Sequence, residues 1–564
     1  MSQTNTSTFS TENFKKIIAF LIAIVTVFIA IATYLQNDAG SRDDAANRDA
    51  KNYSLEALGK QVSGDAQVNF DYNQAYQAYY EYELLAIAAE NAGDSGAAQR
   101  YTALMDKMAK LSPMLQAPYF DPESGNVDVA RYEADTYLVA TTALAERFAS
   151  ASDVKDAWDS KANTYIIHLT FFAVALFLYG MSTTLSGRWS PWIFSAVGTG
   201  ISLFALGWML TLFLKPVPDL RNCKSTDGTF AIDAYAEGVG LAHQERFEEA
   251  IAQFDKALQC EPKYINALIE RGNAKAALGD LGPATSDYEA ARAAGANNTN
   301  LLGELGYTYY LLGRFNDATA ANQAALAMNE NELWIRFDEG LNLLAAGKMD
   351  EAQKAYQLGM QNAAKQVADA QSAGKAPDSW LWWGLEDAAE GLDDLLDTIE
   401  NDSGLPARQA IIQPEQIQPI AEALIFQLKS LSASLEYSGK PSADPISASL
   451  SELVFAEPVY AEDGTISDYE VGDTFENGVD ELAIQFDYSG MKDGQILLFK
   501  VYLNGEEDPS WRFEQNWDLG AEGTAEIPLS LAYSNVSVLD AGEYTVEIYL
   551  DYQLATRGWF TVAE

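Results

Sequence analysis

Histidine and cysteine are nearly missing from the chain, with two of each in 564 residues. His168 and His243 lie far apart in the sequence, and neither has the other or a cysteine beside it. Zinc sites and Ser-His or Cys-His catalysis need such side chains clustered. No GxxxxGK[ST], HExxH or GxSxG motif occurs, so the sequence offers no phosphate cradle, zincin helix or nucleophile elbow. No metal, cofactor or catalytic residue is expected, and the chain does not read as an enzyme. Basic residues are also scarce: 36 Lys and Arg stand against 81 Asp and Glu, a formal charge of -45. Nucleic acid needs a basic surface and is excluded as a partner. The same surplus argues against docking on anionic lipid heads. The acids are scattered, which fits a solvated acidic surface.

Charge of either sign is missing from three long stretches. They are Ile17 to Leu35, about Tyr165 to Thr183, and about Trp192 to Leu214. Runs of about 20 apolar residues match the hydrocarbon thickness of a bilayer. We read three membrane helices, at 17–35, 164–183 and 192–214. The first could instead be a signal peptide cut near Ala30-Ile31-Ala32, although its apolar run continues past that site. Lys15 and Lys16 precede span one, and Arg188 lies in the loop 184–191. The positive-inside rule then puts the tail 1–16 and that loop in the cytoplasm. Residues 36–162 and everything after Leu214 face outward, as in a multi-pass inner-membrane protein with large extracytoplasmic domains.

Residues 36–162 read as helices, with breaks at Ser63-Gly64, Gly93-Asp94 and Ser112-Pro113, and a four-helix-like bundle is expected. Tyr72, Tyr76 and Tyr79 fall at helical spacing and read as bundle core. The layout of 1–218, NYSLEAL at 52–58 and His168 at the start of span two resemble an uncharacterised bacterial membrane-protein family, which implies no chemistry.

From Phe230 a period of 34 residues takes over. Gly238, Gly272, Gly306 and Gly340 share one register, and Ala250, Ala284, Ala318 and Ala352 a second. Phe254, Tyr288 and Tyr356 share a third, with Asn322 as the departure. Ala257, Ala291 and Ala325 share a fourth, with Gly359 departing. The region 231–365 resembles four tetratricopeptide repeats (TPR), each an antiparallel helix pair. Glycine would let helix A approach its partner, and the aromatic would fill the gap to the next repeat. The resemblance implies a concave groove lined by Tyr235, Val239, Asn266, Ile269, Glu270, Asn273, Asn300, Glu304, Tyr307, Tyr310, Trp334, Phe337 and Asp338. The family's carboxylate clamp needs basic residues there. Glu270, Glu304 and Asp338 occupy one row instead, which favours a basic or aromatic protein or peptide. The same hairpin geometry puts the start of helix A beside the end of helix B, so Cys223 and Cys260 fall within reach of a disulfide. Such a bond fits an oxidising compartment; two unrelated thiols are the alternative.

Residues 366–437 read as a helical cap, with an apolar face on 380–400, and 438–470 as a linker. From 471 to 564 period-two strands appear. Asp540-x-Gly542-x-Tyr544 resembles the tyrosine corner of immunoglobulin-like sandwiches, with Val546 where antibody domains carry cysteine. Acids in 468–481 could hold calcium; a solvated loop is the plainer reading. The expected whole is multidomain: three transmembrane helices with a helical bundle, an all-α TPR solenoid, and an all-β immunoglobulin-like sandwich. The function read from it is a membrane-anchored scaffold binding other proteins. The alternatives are an envelope sensor or signal relay and, behind it, a carboxylate-based hydrolase. Self-association is left open.

Overall fold

The computed structural model describes residues 11–122, 124–185, 189–401, 406–441, 446–461, 466–479, 481–530 and 539–563. Residues 1–10 of the tail and Arg188 lie outside the described residues. The chain divides into two compact units, Met1–Gly295 and Ala296–Glu564.

The first unit begins with α1, Thr11–Phe70. A π-helical turn, Asp71–Tyr76, leads straight into α2, Gln77–Asn91. The helices α3, Ser95–Leu111, and α4, Val129–Glu133, precede a second π-helical turn at Ala134–Leu138. Then come α5, Val139–Thr184, and α6, Ser190–Leu214. Among the described residues, three helical runs are long and apolar enough to cross a membrane. Their shared core includes Ile18, Val25 and Ala32 of α1, Phe172, Ala175 and Tyr179 of α5, and Ala205 and Met209 of α6. At Gly198 a methyl would lie 3.3 Å from the Ala175 carbonyl oxygen, so α5 and α6 cross closely. The outward faces expose Phe20, Val27, Phe177, Leu203 and Phe204.

No four-helix bundle follows. α1 and α5 run antiparallel along their whole length. Arg42 meets Trp158, and farther along the Tyr132 hydroxyl donates to Asp71 at 2.5 Å. The expected break at Ser63-Gly64 is absent. Gly64 sits inside α1 because a Cβ there would lie 2.3 Å from the Tyr137 side chain; the glycine admits a ring and does not stop the helix. α2 and α3 form a hairpin. Gly93 takes φ +75, and Asp94 caps α3 by accepting from the Ala97 amide at 2.9 Å. Tyr76 and Tyr79 pack on the following loop, through the Gly125 carbonyl and the Phe120 ring, while Tyr72 stays exposed.

Four helix pairs carry the repeats. The first unit holds α7, Ala231–His243, with α8, Phe247–Cys260, and α9, Ile265–Ala277, with α10, Leu281–Ala293. The second unit holds α11, Thr299–Leu311, with α12, Phe315–Met328, and α13, Leu333–Ala345, with α14, Met349–Ser372. The columns have one cause. A Cβ on Gly238 would lie 2.5 Å from the Phe254 ring, one on Gly272 2.5 Å from Tyr288, and one on Gly340 2.7 Å from Tyr356. The aromatic therefore packs on the glycine of its own repeat. Where the aromatic is replaced, Asn322 faces Gly306. Gly359 departs from the alanine column because the Phe337 ring fills the space its Cβ would take, 2.5 Å away.

The second unit continues with α15, Trp380–Glu400, α16, Pro406–Ala410, and α17, Pro414–Ala433. Eleven strands follow: β1 Ser449–Leu450, β2 Val454–Tyr460, β3 Ile466–Val471, β4 Thr474–Phe475, β5 Glu481–Ser489, β6 Ile496–Leu503, β7 Glu506–Glu507, β8 Phe513–Asn516, β9 Glu522–Ser530, β10 Gly542–Leu550 and β11 Gln553–Val562. In one sheet β5 pairs β9 on one edge and β1 and β2 on the other, with β3 outside β2, so the stretch 438–470, expected to be a linker, supplies strands of the sandwich. The other runs β4-β11-β10-β6, with β7 and β8 on the far edge of β6. Its β4–β11 pair is parallel. Leu482, Ile484 and Phe486 of one sheet share a core with Leu497, Phe499, Val546 and Ile548 of the other.

Asn322 is fully buried, and neither amide atom has a hydrogen-bond partner among the described residues. Such a group costs roughly 1–3 kcal/mol. Asn322→Tyr restores the column residue against a retained glycine and is expected to raise the unfolding midpoint, by about 1 kcal/mol or more, in urea titrations of the full chain. An unchanged or lower midpoint would contradict this account of the column.

Candidate functional site

In the first unit the anticipated groove row is covered by the chain itself. α5 lies against α7, where a Cβ on Gly240 would meet Val139 at 2.4 Å. Glu146 of α5 accepts from the Tyr264 hydroxyl at 2.8 Å and from Asn266 Nδ2 at 2.7 Å. Arg147 pairs with Asp233 at 2.5 Å, and Glu133 with His243 at 2.9 Å. Tyr235 is buried among Phe254 and Tyr264. Glu270 is held by Asn273 Nδ2 at 3.3 Å, and Asn273 Oδ1 accepts from the Tyr288 hydroxyl at 2.7 Å. Tyr235 and Asn266 are thus engaged within the unit. Glu146 and its helix were missed because a residue far upstream in sequence supplies the cover.

Cys223 and Cys260 do meet. Their Cα atoms are 5.8 Å apart, with the sulfurs at bonding distance. The pair lies beside a cavity of about 690 Å³ lined by Glu146, Asp153, Asp219, Glu261, Lys263 and Tyr264.

In the second unit the row splits by exposure. Tyr310 and Phe337 are core residues, the latter 5.7 Å from Tyr356. Trp334 is half-buried over Gly303, whose Cβ would lie 2.0 Å from its ring. Asn300 and Tyr307 are exposed. α15 packs on α13 and brings more acid to this surface. Burial pushes the Tyr307 hydroxyl up, and Asp338, Asp394, Glu304 and Glu390 add to it. Asp338 is pushed up to about 7, first by burial and then by Glu304. Asp394 is raised by burial and by Asp393 and Asp397, and Glu390 by burial, Asp394 and Asp387. The exposed surface around Tyr307 is therefore an aromatic ring among four carboxylates.

The acidic face of α15 continues into a cavity of about 790 Å³. Glu390, Asp394, Asp397, Glu422, Glu543 and the exposed Trp559 are among its walls. Two cations answer them. Arg557 makes a bidentate pair with Asp393 at 2.7 and 2.8 Å. Lys429 reaches Glu547 at 2.7 Å and Glu386 at 3.2 Å. Burial pushes the Glu547 carboxyl up, but Lys429 outweighs it and the group is held below the usual range. Burial would lower Lys429, but Glu547 and Glu386 raise it. The sequence did carry a signal for this network: in ILLFKVYL, Lys500 stands in an otherwise apolar strand. It is buried and 3.4 Å from Glu507.

No family model and no curated protein matches the chain. Among solved structures, YrrB, described as a TPR protein with an unusual peptide-binding site, is 23% identical, with a TM-score of 0.24; the match covers 34% of this chain and 90% of that one. MamA is 17% identical over 33% of this chain and 93% of that one, with a TM-score of 0.23. A form of MamA from Desulfovibrio magneticus RS-1 is 17% identical over 34% and 96%, with a TM-score of 0.24. The repeat reading rests on the helix pairs and their glycine contacts.

Asp338 gives a pH test. Its folded pKa, about 7, lies above the ordinary 3.8. The folded state binds this proton more tightly, so stability falls as pH rises from about 4 to about 7 and is flat beyond. Asp338→Asn should abolish that loss and raise the second unit's urea midpoint at pH 8, with little change at pH 4. An equal shift at both pH values would refute the assignment.

Proposed function

We propose that this chain is a membrane-anchored scaffold whose TPR-containing second unit binds a basic, aromatic-bearing segment of a partner protein. The single observation that carries the reading is the exposed Tyr307 ring among Glu304, Asp338, Glu390 and Asp394. Carboxylates held partly desolvated beside one another are stabilised by an arriving cation. An exposed ring adds a cation–π face for arginine or lysine. Tyr307 and Asn300 remain open, while Tyr310, Phe337 and Trp334 serve mainly as packing.

The anchor reading is supported by three apolar helices with apolar outward faces. Charge bias alone does not orient them. Lys15 and Lys16 lie at one end, but Arg42, Lys161 and Lys215 lie at the other. The cysteine pair supports an extracytoplasmic placement of the repeats, since disulfides persist in oxidising compartments. An immunoglobulin-like reading of 471–564 is supported by Tyr544, whose hydroxyl donates to the Asp540 carbonyl at 3.0 Å, and by the order β4-β11-β10-β6.

A labelled peptide alternating Arg and Phe should bind the full chain, with affinity falling steeply between 50 and 300 mM salt. Tyr307→Ala or Asp394→Asn should weaken it at least fivefold, with the acidic counterpart peptide silent. Equal binding of both peptides would defeat the reading. A tag after Glu564 should be lost when intact cells are treated with protease; protection until lysis would place everything after Leu214 in the cytoplasm.

A further inference from the structure

The chain is strongly acidic, yet three cations gather at one end of its apolar helices. Arg42 of α1 and Lys161 of α5 both stand 4.9 Å from the centre of the Trp158 ring. The Lys161 ammonium donates to the backbone carbonyl of Lys215, the residue that ends α6. Lys161 is only 7% exposed. Among the described residues no carboxylate forms an ion pair with Lys161 or Lys215. Arg42 has Asp38 at 2.9 Å. Burial pushes the Lys161 ammonium down, and Lys215 and Arg42 push it the same way. A buried ammonium whose partners are a carbonyl and a ring, with no carboxylate of its own, is costly unless something anionic completes the site. The fold contributes three helices to create this arrangement and supplies one acid against three bases.

Position says what the anion is. Lys215 directly follows the third apolar run, Lys161 sits just before the second, and Arg42 lies seven residues past Leu35. At 1.5 Å per residue, Arg42 is about 10 Å beyond the first apolar run. The headgroup layer extends about 5–8 Å past the hydrocarbon on each side, and the long arginine side chain spans the remainder. Trp158, half-buried between the cations, is the ring type enriched at that depth.

We propose that Arg42, Lys161 and Lys215 form a site for the phosphate of an anionic phospholipid, at the end of the three spans away from Lys15 and Lys16. Lys215 and Arg42 contact the phosphate from the exposed side, and Lys161 supplies charge from beneath. The overall acidity of the chain, which disfavours general adsorption on anionic lipid, makes this site the local exception. The inference rests on the membrane-anchor reading.

The test uses the full chain, first in carbonate-washed membranes and then in detergent, with native mass spectrometry after addition of phosphatidylglycerol or phosphatidylcholine. At least fivefold preferential retention of phosphatidylglycerol is expected, falling toward parity in Lys215→Gln and Lys161→Met. Lys215 is exposed, so its variant keeps the fold even where the buried one does not. Equal retention of both lipids, or retention indifferent to Lys215→Gln, overturns the proposal while leaving the anchor standing. Release by carbonate overturns the anchor and the proposal together. If inorganic phosphate or glycerol phosphate competes as well as lipid at equal concentration, the site is for soluble phosphate and the lipid assignment fails.

Discussion

The contact of one helix-A glycine with one helix-B ring sets the geometry of the repeats. Gly238 with Phe254, Gly272 with Tyr288 and Gly340 with Tyr356 each bring two backbones closer than any Cβ would allow. Close packing makes such a contact intolerant of even one methyl group. Because it fixes the distance between helices A and B, it also fixes which side chains of helix A remain outside. In the second unit that leaves Tyr307 exposed, while Phe337 turns inward and takes the place of a fourth-repeat alanine by filling the space at Gly359.

What lies over the helix-A face is the chain's own helices, and electrostatics decides how firmly. The end of α4 and the start of α5 cover the first two repeats with matched pairs: Glu133 with His243 and Arg147 with Asp233 on α7, and Glu146 with Tyr264 and Asn266 at the start of α9. α15 packs on α13, with Gly391 beside Leu341. The same helix turns Glu386 to Lys429 and Asp393 to Arg557, where opposite charges meet at 2.7–3.2 Å. Its Glu390 and Asp394 lie instead near Tyr307, whose hydroxyl they push up.

Much of this was legible in the sequence, and the failures have physical reasons. Period 34 exposes repeats because each glycine and its ring recur in register. Charge-free runs of about 20 residues expose the apolar helices. The Cys223–Cys260 meeting follows from hairpin geometry once the repeat is recognised. Gly64 was misread as a helix stop because glycine punctuates chains in both ways, and only the Tyr137 ring across from it tells them apart. The cover on Tyr235 and Asn266 was invisible because Glu146 is remote in sequence and chemically ordinary. Groove residues were chosen by register alone, and register does not separate Tyr307, which is exposed, from Tyr310, which is not.

Orientation shows how a local arrangement can override a composition rule. Lys15 and Lys16 argue for one end of the spans as cytoplasmic, and by count alone Arg42, Lys161 and Lys215 argue back. The two groups differ in environment. Lys15 and Lys16 precede the apolar run on a single helix. Arg42, Lys161 and Lys215 converge from three helices onto one tryptophan and one carbonyl. Charges that flank a span on one helix and charges that converge from several helices are therefore not interchangeable in a count of basic residues.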